Sequence, residues 1–283
     1  MYELIHNNQD AQQKIICGDC LAVMGVMPSE SIDVVVTSPP YNIGKEYGAY
    51  NDNMPHSDYL NRMRAVAEAI SRILKHDGSL FLNVGSTSRQ PWRSAEVAQQ
   101  FSVVFKLQNN ITWVKSVSIG RRSYGHYRPI DSDRFLSNST EQIYHFTKSG
   151  NVKLDRLAIG VPYVDESNVR RFNRSSNLRC AGNAWFIPYE TVHSKEGKFN
   201  HPAPFPVALP ERCIKLHGLK KNPIVLDPFM GIGSTLVACQ NLGIRGIGIE
   251  IDAAYANTTL SRLSNAVLIG GAPVNLQVRR DAP

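Results

Sequence analysis

The apolar positions of this 283-residue chain change period several times along its length. Short unbroken runs, KIIC at 14–17, IDVVVT at 32–37 and SLFLNVG at 79–85, have the length of strands buried on both faces. Between the last two, Leu60, Met63, Val66, Ala67, Ile70, Ile73 and Leu74 recur at helical spacing, which predicts a helix over 59–74. Asp77-Gly78 predicts a turn before the next strand. A helix near 94–104 and a strand ending NITWVK close this stretch. From 116 to 200 the periodicity fades into Arg, Asn, Ser, Tyr and Gly, and only EQIYHF, 141–146, reads as a firm strand. After Pro206 the rhythm returns: a helix near 207–217, the strand PIVLD, a glycine-rich turn, a helix at 234–242, the strand IRGIGIE and a helix near 253–264. The last fifteen or so residues read as a short edge strand and a frayed tail. Strands alternating with helices predict an α/β domain around a mainly parallel sheet covered on both faces, with 116–200 as an insertion or small subdomain.

Composition narrows the class. The chain is 42% apolar and 19% charged, which suits a packed domain rather than a disordered one. No apolar run approaches the roughly 18 residues of a membrane span, and no charged-then-apolar leader opens the sequence, so a cytoplasmic protein is expected. Five scattered cysteines argue against a disulfide framework. Cys17-Gly18-Asp19-Cys20 matches C-x-x-C but has no second pair, so no metal is expected, and two small packed side chains are the simpler reading. The net charge of +7 is concentrated: from Lys115 to Arg179 there are twelve Lys/Arg against six Asp/Glu, a net of +6. Such a patch fits a polyphosphate partner or an ordinary solvated face.

Two turns carry chemistry. In IVLDPFMGIGSTLVACQ a strand ends at Asp227 and a helix follows Gly231 and Gly233. Glycines there let a ligand approach the backbone and the helix amides. Glu250 ends the next strand and suits two ribose hydroxyls. Leu236 replaces the third glycine of the dinucleotide fingerprint, and Asp227 repels a pyrophosphate but welcomes an α-amino group. S-adenosylmethionine is therefore favoured over NAD. No P-loop motif occurs. The other turn is Thr37-Ser38-Pro39-Pro40-Tyr41, which stops a buried strand with two prolines and an aromatic ring. The prolines fix φ, and the carbonyls with the Ser38 hydroxyl offer acceptors to an NH2 group. Tyr41 offers a flat face to a base. An exocyclic amine held this way can attack a methyl sulfonium in line. Methylation at cytosine C5 needs a cysteine nucleophile, commonly after proline, and no Pro-Cys pair occurs.

TSPPY at 37–41 and DPFMGIGST at 227–235 together resemble the amino-methylating DNA methyltransferases. The catalytic motif comes first, a variable region follows, and the cofactor motif comes last, which looks like that family's permuted beta arrangement. The resemblance implies a Rossmann-like S-adenosylmethionine-dependent methyltransferase fold with a mainly parallel sheet and an inserted target-recognition region. Residues 1–115 would form the catalytic half, 116–200 the recognition region and 201–283 the cofactor half. GDCLAVM points to Asp19 at the cofactor's adenine, and HPAPFPVALPERCIKLHG to His201 and its neighbours, as far as Phe205, near the methionine moiety. Phe229, Gly231, Gly233, Ser234 and Glu250 complete the implied cofactor set with Asp227. Ser38, Pro39, Pro40 and Tyr41 are the implied catalytic residues. NITWVKS implies that Trp113 and Lys115 lie near the target pocket, with core packing the alternative for Trp113. Lys115, Arg121, Arg122, Arg128, Arg170, Arg171 and Arg174 would meet double-stranded DNA. Members with serine before the two prolines usually methylate cytosine N4, and those with Asp or Asn adenine N6. Cytosine N4 is expected, with adenine N6 the alternative. An inactive DNA-binding module and an NAD-dependent oxidoreductase are the rivals from other classes. The resemblance leaves open a monomer or homodimer, the recognition sequence and a cognate restriction endonuclease.

Overall fold

The computed structural model describes residues 12–45, 50–125, 130–165, 167–171, 176–189, 204–219, 221–264 and 266–269. The first half contains β1 (Gln13–Cys17), α1 (Cys20–Gly25), β2 (Ile32–Thr37), α2 (His56–Ile73), β3 (Leu74–Val84), α3 (Arg93–Ser102) and β4 (Lys106–Val114). The middle holds β5 (Ser116–Ile119), β6 (Arg122–Gly125), β7 (Thr140–Thr147), β8 (Val161–Pro162), α4 (Ser167–Arg171), β9 (Leu178–Arg179) and β10 (Ala184–Phe186). The last part contributes α5 (Ala208–His217), β11 (Ile224–Asp227), α6 (Ser234–Asn241), β12 (Arg245–Glu250), α7 (Ala253–Arg262) and β13 (Ala266–Ile269).

Among these residues, nine strands form one sheet in the order β10-β4-β7-β3-β2-β11-β12-β1-β13. Its pairs are parallel except the two made by β7. Side-chain alternation explains the two cores. Val35, Leu80 and Leu82 face a cluster with Met24 of α1, Met63, Val66 and Ile70 of α2, and Phe101 of α3. Val34, Val36 and Phe81 face the other side, against Leu209, Cys213 and Ile214 of α5 and Ala238 of α6. β2 is buried along its whole length, so its apolar run needs no polar alternation. Each such aliphatic side chain contributes roughly 1.5–3 kcal/mol by leaving water.

Three expectations change. Asp77-Gly78 is not a turn between helix and strand: β3 runs through it, with Ile32 opposite Leu74 and Val34 opposite Ser79. Five residues of β3 therefore match two of β2, and the dipeptide forms a bulge. A side chain at Gly78 would press on Leu74 and the Asp33 carbonyl. EQIYHF is a firm strand, but not one of a subdomain: β7 lies between β3 and β4 in the central sheet. β10 likewise pairs with β4, so the 116–200 stretch supplies two strands to the core and does not stand apart. Trp113 is 1% exposed and its Nε1 donates to the Ile187 carbonyl at 2.8 Å, which makes it a core residue. The short strand after α7 is present as β13, at the edge beside β1. Among the described residues, no helix is long and apolar enough to cross a membrane.

Candidate active site

Both motif turns leave the same edge of the sheet, the carboxyl ends of neighbouring strands β2 and β11. This edge is where α/β sheets hold ligands. One carboxylate fastens the turns together. Asp227 is fully buried and accepts Thr37 Oγ1 at 2.6 Å, Thr235 Oγ1 at 2.7 Å and the Phe229 amide at 3.1 Å. It thus joins the residue before Ser38 to the first turn of α6. Burial raises its carboxyl to about 6, against the pull of those three donors. The expectation that Asp227 faces an α-amino group differs from this geometry: the side chain looks inward, and its oxygens carry internal bonds.

The glycine turn is shaped by its own packing. Gly231 and Gly233 are left-handed, with φ of 56° and 79°. A side chain on Gly233 would overlap Thr259, whose hydroxyl donates to the Gly231 carbonyl at 3.1 Å. Glu250, at the end of β12, accepts the Gly231 amide at 2.8 Å and the Asp252 amide at 2.9 Å. Its carboxyl is raised by burial, an effect the two amides reduce. Phe229 is half-buried against the α2-side core. Ser234 donates to the Phe205 carbonyl at 2.8 Å, which brings the segment before α5 to this turn. His201 in that segment lies outside the described residues.

Asp19 joins the same edge, because the Gly18 amide donates to the Glu250 carbonyl at 2.8 Å. Its side chain caps α1, accepting the Leu21 and Ala22 amides at 2.9 and 3.1 Å, and meets Arg62 at 2.6 Å. Partial burial pushes its carboxyl up, but the Arg62 hydrogen bond and the amides hold it below the usual range. Cys20 is buried and Cys17 half-buried, both as free thiols. Among the described residues no group of three or more His, Cys, Asp or Glu is placed to hold a metal ion.

Around the proline turn, Tyr59 of α2 donates to the Pro40 carbonyl at 2.9 Å. The buried Asp52 carboxylate accepts the amides of Asn42, Ile43 and Lys45 at 2.8, 3.1 and 3.0 Å, closing the loop behind Tyr41. Ser38 Oγ lies 2.9 Å from the Tyr41 hydroxyl. Asn83, near the end of β3, and Glu141, near the start of β7, complete the group: Asn83 Nδ2 donates to Glu141 Oε2 at 2.8 Å, and Tyr41 to the same oxygen at 3.1 Å. Burial, and then the Glu141 charge, raise the phenol well above its ordinary value. Gly85 leaves room for the ring, since a side chain there would touch Tyr41 and Glu141.

Lys115 belongs to this group rather than to an open surface. Its ammonium meets Glu141 Oε1 at 2.9 Å, with both side chains mostly covered. Arg121 and Arg122 are exposed on the β5–β6 hairpin, which turns at Gly120 with φ of 62°. Arg170 and Arg171 belong to α4, where Arg171 is exposed. Arg128 and Arg174 lie outside the described residues. A separate cavity of about 570 Å³, lined by His76, Lys153, Asp155 and His217 among others, sits at the opposite end of the sheet, where β3 begins.

The sequence reading missed Asn83, Glu141, Asp52 and Tyr59. Asn83 left a signal, a lone amide inside the apolar SLFLNVG run. Glu141 opens EQIYHF, but nothing local shows that β7 inserts beside β3.

A mostly parallel sheet with one antiparallel strand, a glycine turn and an acceptor-rich turn on adjacent strands defines an α/β enzyme of the S-adenosylmethionine-dependent methyltransferase fold. The chain belongs to the N6/N4 methyltransferase family: the profile described as DNA methylase matches residues 32–261. It is 28% identical over 262 residues to the Type II methyltransferase M.HpaI of Haemophilus parainfluenzae, covering 89% of this chain and 74% of that one. It is also 28% identical over 254 residues to the DNA adenine methyltransferase YhdJ of Escherichia coli (strain K12), covering 89% and 83%. Among solved structures, the PvuII DNA methyltransferase (cytosine-N4-specific) superposes with a TM-score of 0.66 at 19% identity, over 91% of this chain and 90% of that one. The M1.HpyAVI–SAM complex superposes with a TM-score of 0.55 at 22% identity, over 89% and 100%. The family uses S-adenosylmethionine. The residues present fit it, since glycines keep side chains off the turn and the Glu250 and Asp19 carboxylates suit hydroxyl and amino donors.

Proposed function

We propose that this DNA methyltransferase is site-specific and methylates the N4 amino group of cytosine. The observation that carries this reading is Ser38, with its hydroxyl in a polar group at the carboxyl end of β2 and tied through Thr37 and Asp227 to the glycine turn. S-adenosylmethionine supplies a methyl sulfonium when bound. Phe229, Gly231, Gly233, Ser234 and Glu250 would line its site, with Asp19 and His201 beside them and Asp227 holding the turn from below. Ser38 Oγ and the Pro39 carbonyl would accept the two amine hydrogens, Pro40 would stiffen the turn, and the Tyr41 ring would support the base. Positioning and local electrostatics then supply most of the rate. The target base must leave the duplex to reach this edge. Residues 116–200, apart from β7 and β10, would read the DNA, with Arg121, Arg122, Arg128, Arg170, Arg171 and Arg174 toward phosphates or base edges. The outer divisions, 1–115 and 201–283, remain the catalytic and cofactor halves, in the permuted order with the TSPPY motif first.

Serine before the prolines supports cytosine, as does the cytosine-N4-specific PvuII neighbour. Adenine N6 is the second reading, favoured by the similarity to the adenine methyltransferase YhdJ. The test is mass spectrometry of nucleosides from DNA of varied sequence incubated with the protein and S-adenosylmethionine. N4-methylcytosine is expected. N6-methyladenine would overturn the base assignment and keep the chemistry, and failure of Ser38→Ala to lower the rate would overturn the role of Ser38.

A further inference from the structure

A serine hydroxyl has one proton, and its direction decides whether the oxygen can receive a hydrogen bond from an amine. The neighbours of Ser38 fix that direction. As a carboxylate, Glu141 only accepts. Its Oε1 receives Lys115 Nζ at 2.9 Å. Its Oε2 receives Asn83 Nδ2 at 2.8 Å and the Tyr41 hydroxyl at 3.1 Å. The Tyr41 phenol has a single proton, and Glu141 takes it. In the 2.9 Å contact between Ser38 Oγ and the Tyr41 oxygen, Ser38 must therefore be the donor. Asn83 Nδ2 adds contacts to the Tyr41 oxygen at 3.1 Å and to Ser38 Oγ at 3.4 Å, again as a donor. The chain of protons runs from Ser38 through Tyr41 to Glu141, and what Ser38 has left for a ligand is a lone pair.

We propose that Glu141, held by Lys115 and Asn83, is a positioning residue that orients the Ser38 hydroxyl through Tyr41, so that the site presents an acceptor to the reacting base. The inference rests on the proposed amino-methylation at Ser38 and deepens it. A site with this polarity takes an exocyclic amine and rejects a ring carbonyl at the same position, because two acceptors would face each other. Lys115 thereby acts from within the site rather than on the DNA backbone.

Glu141→Gln is the informative variant, since it keeps the shape and changes the polarity. A glutamine amide can donate to the Tyr41 oxygen, which frees the phenol to donate to Ser38 and turns the serine proton toward the amine. We expect kcat to fall on the order of 100-fold. The KM for DNA and the Kd for S-adenosylmethionine should stay within about twofold. The readout that a merely structural role would not give is a cycle with Ser38→Ala under single-turnover conditions. In the Ser38→Ala background, Glu141→Gln should have no further effect. Should Glu141→Gln lose cofactor affinity or unfold, Tyr41→Phe replaces it, cutting the same chain without altering charge, with the same expected loss and the same silence in the Ser38→Ala background. A variant that keeps full kcat, or losses that multiply, would overturn the inference. Wild-type protein assayed alongside separates the readings: no methylated base at all overturns the parent assignment, whereas wild-type activity with multiplying losses overturns the role of Glu141 alone.

Discussion

Asp227 ties stability to pH in a direction opposite to most paired carboxylates. Its carboxyl is raised from 3.8 to about 6, burial being the largest cause. The interval corresponds to about 3 kcal/mol of preference for the protonated form in the folded protein. Because the folded value lies above the unfolded one, this contribution is fully present below about 3.8 and is lost as pH rises through about 6. Asp227→Asn removes the titration and keeps the shape. One amide hydrogen can point to the Thr235 oxygen, whose own proton has a second acceptor 3.4 Å away in the Val36 carbonyl. The amide oxygen retains Thr37 and the Phe229 amide. The assay is urea unfolding of the apo wild type and the variant at pH values from about 4.5 to 7.5. The difference in unfolding free energy should move in favour of the variant by about 2 kcal/mol across that window, or about 3 °C in Tm for a chain of this length. Two stability curves that stay parallel over the window would refute the reasoning, because they would show that the carboxyl titrates alike in both states.

Gly233→Ala combines a left-handed backbone with overlap on Thr259 and should cost about 2–4 kcal/mol in urea unfolding. Gly243→Ala, also left-handed but in open space, should cost only about 1 kcal/mol, and equal costs would remove Thr259 from the account. Arg121→Ala combined with Arg122→Ala should lower DNA affinity and reduce the log–log salt slope by about 2 if both side chains meet phosphates. An unchanged slope would place the hairpin away from the DNA backbone.

Helix α2 was legible because its buried positions, among them Met63, Val66, Ala67, Ile70 and Ile73, repeat at a spacing that only a helix brings onto one face. The strands β2 and β11 were legible as unbroken apolar runs, and the turns that end them as residues with no use inside a strand. What was hidden depends on partners far away in sequence. Asp77-Gly78 has a strong local turn signal, but pairing with β2 absorbs it as a bulge. EQIYHF says strand and cannot say where, since its position follows from hydrogen bonds to residues 80–84 and 106–114. Lys115 was expected near the target pocket and among the DNA contacts, but its ion pair with Glu141, formed beside the β4–β7 pairing, has no local signal in the sequence. Asp227 closed a strand next to glycines and invited a ligand reading, because no sequence pattern shows that Thr37, 190 residues earlier, occupies it first.

The place of β1 in the sheet sets a timetable for synthesis. This strand is hydrogen-bonded to β12 on one side and β13 on the other, with Gln13 opposite both Gly246 and Ala266. Neither neighbour exists until more than two hundred residues after Cys17 have been made. At roughly 5–20 residues per second, β1 waits on the order of ten seconds or more with both backbone edges open. Through that interval the half that carries Ser38 can assemble β2, β3, β4 and β7, while the Asp19 loop has no Glu250 to rest on. The β12–β1–β13 side is therefore the last part of the sheet to close, and a nascent chain stalled before Arg245 would leave two unpaired strand edges to chaperones or to aggregation.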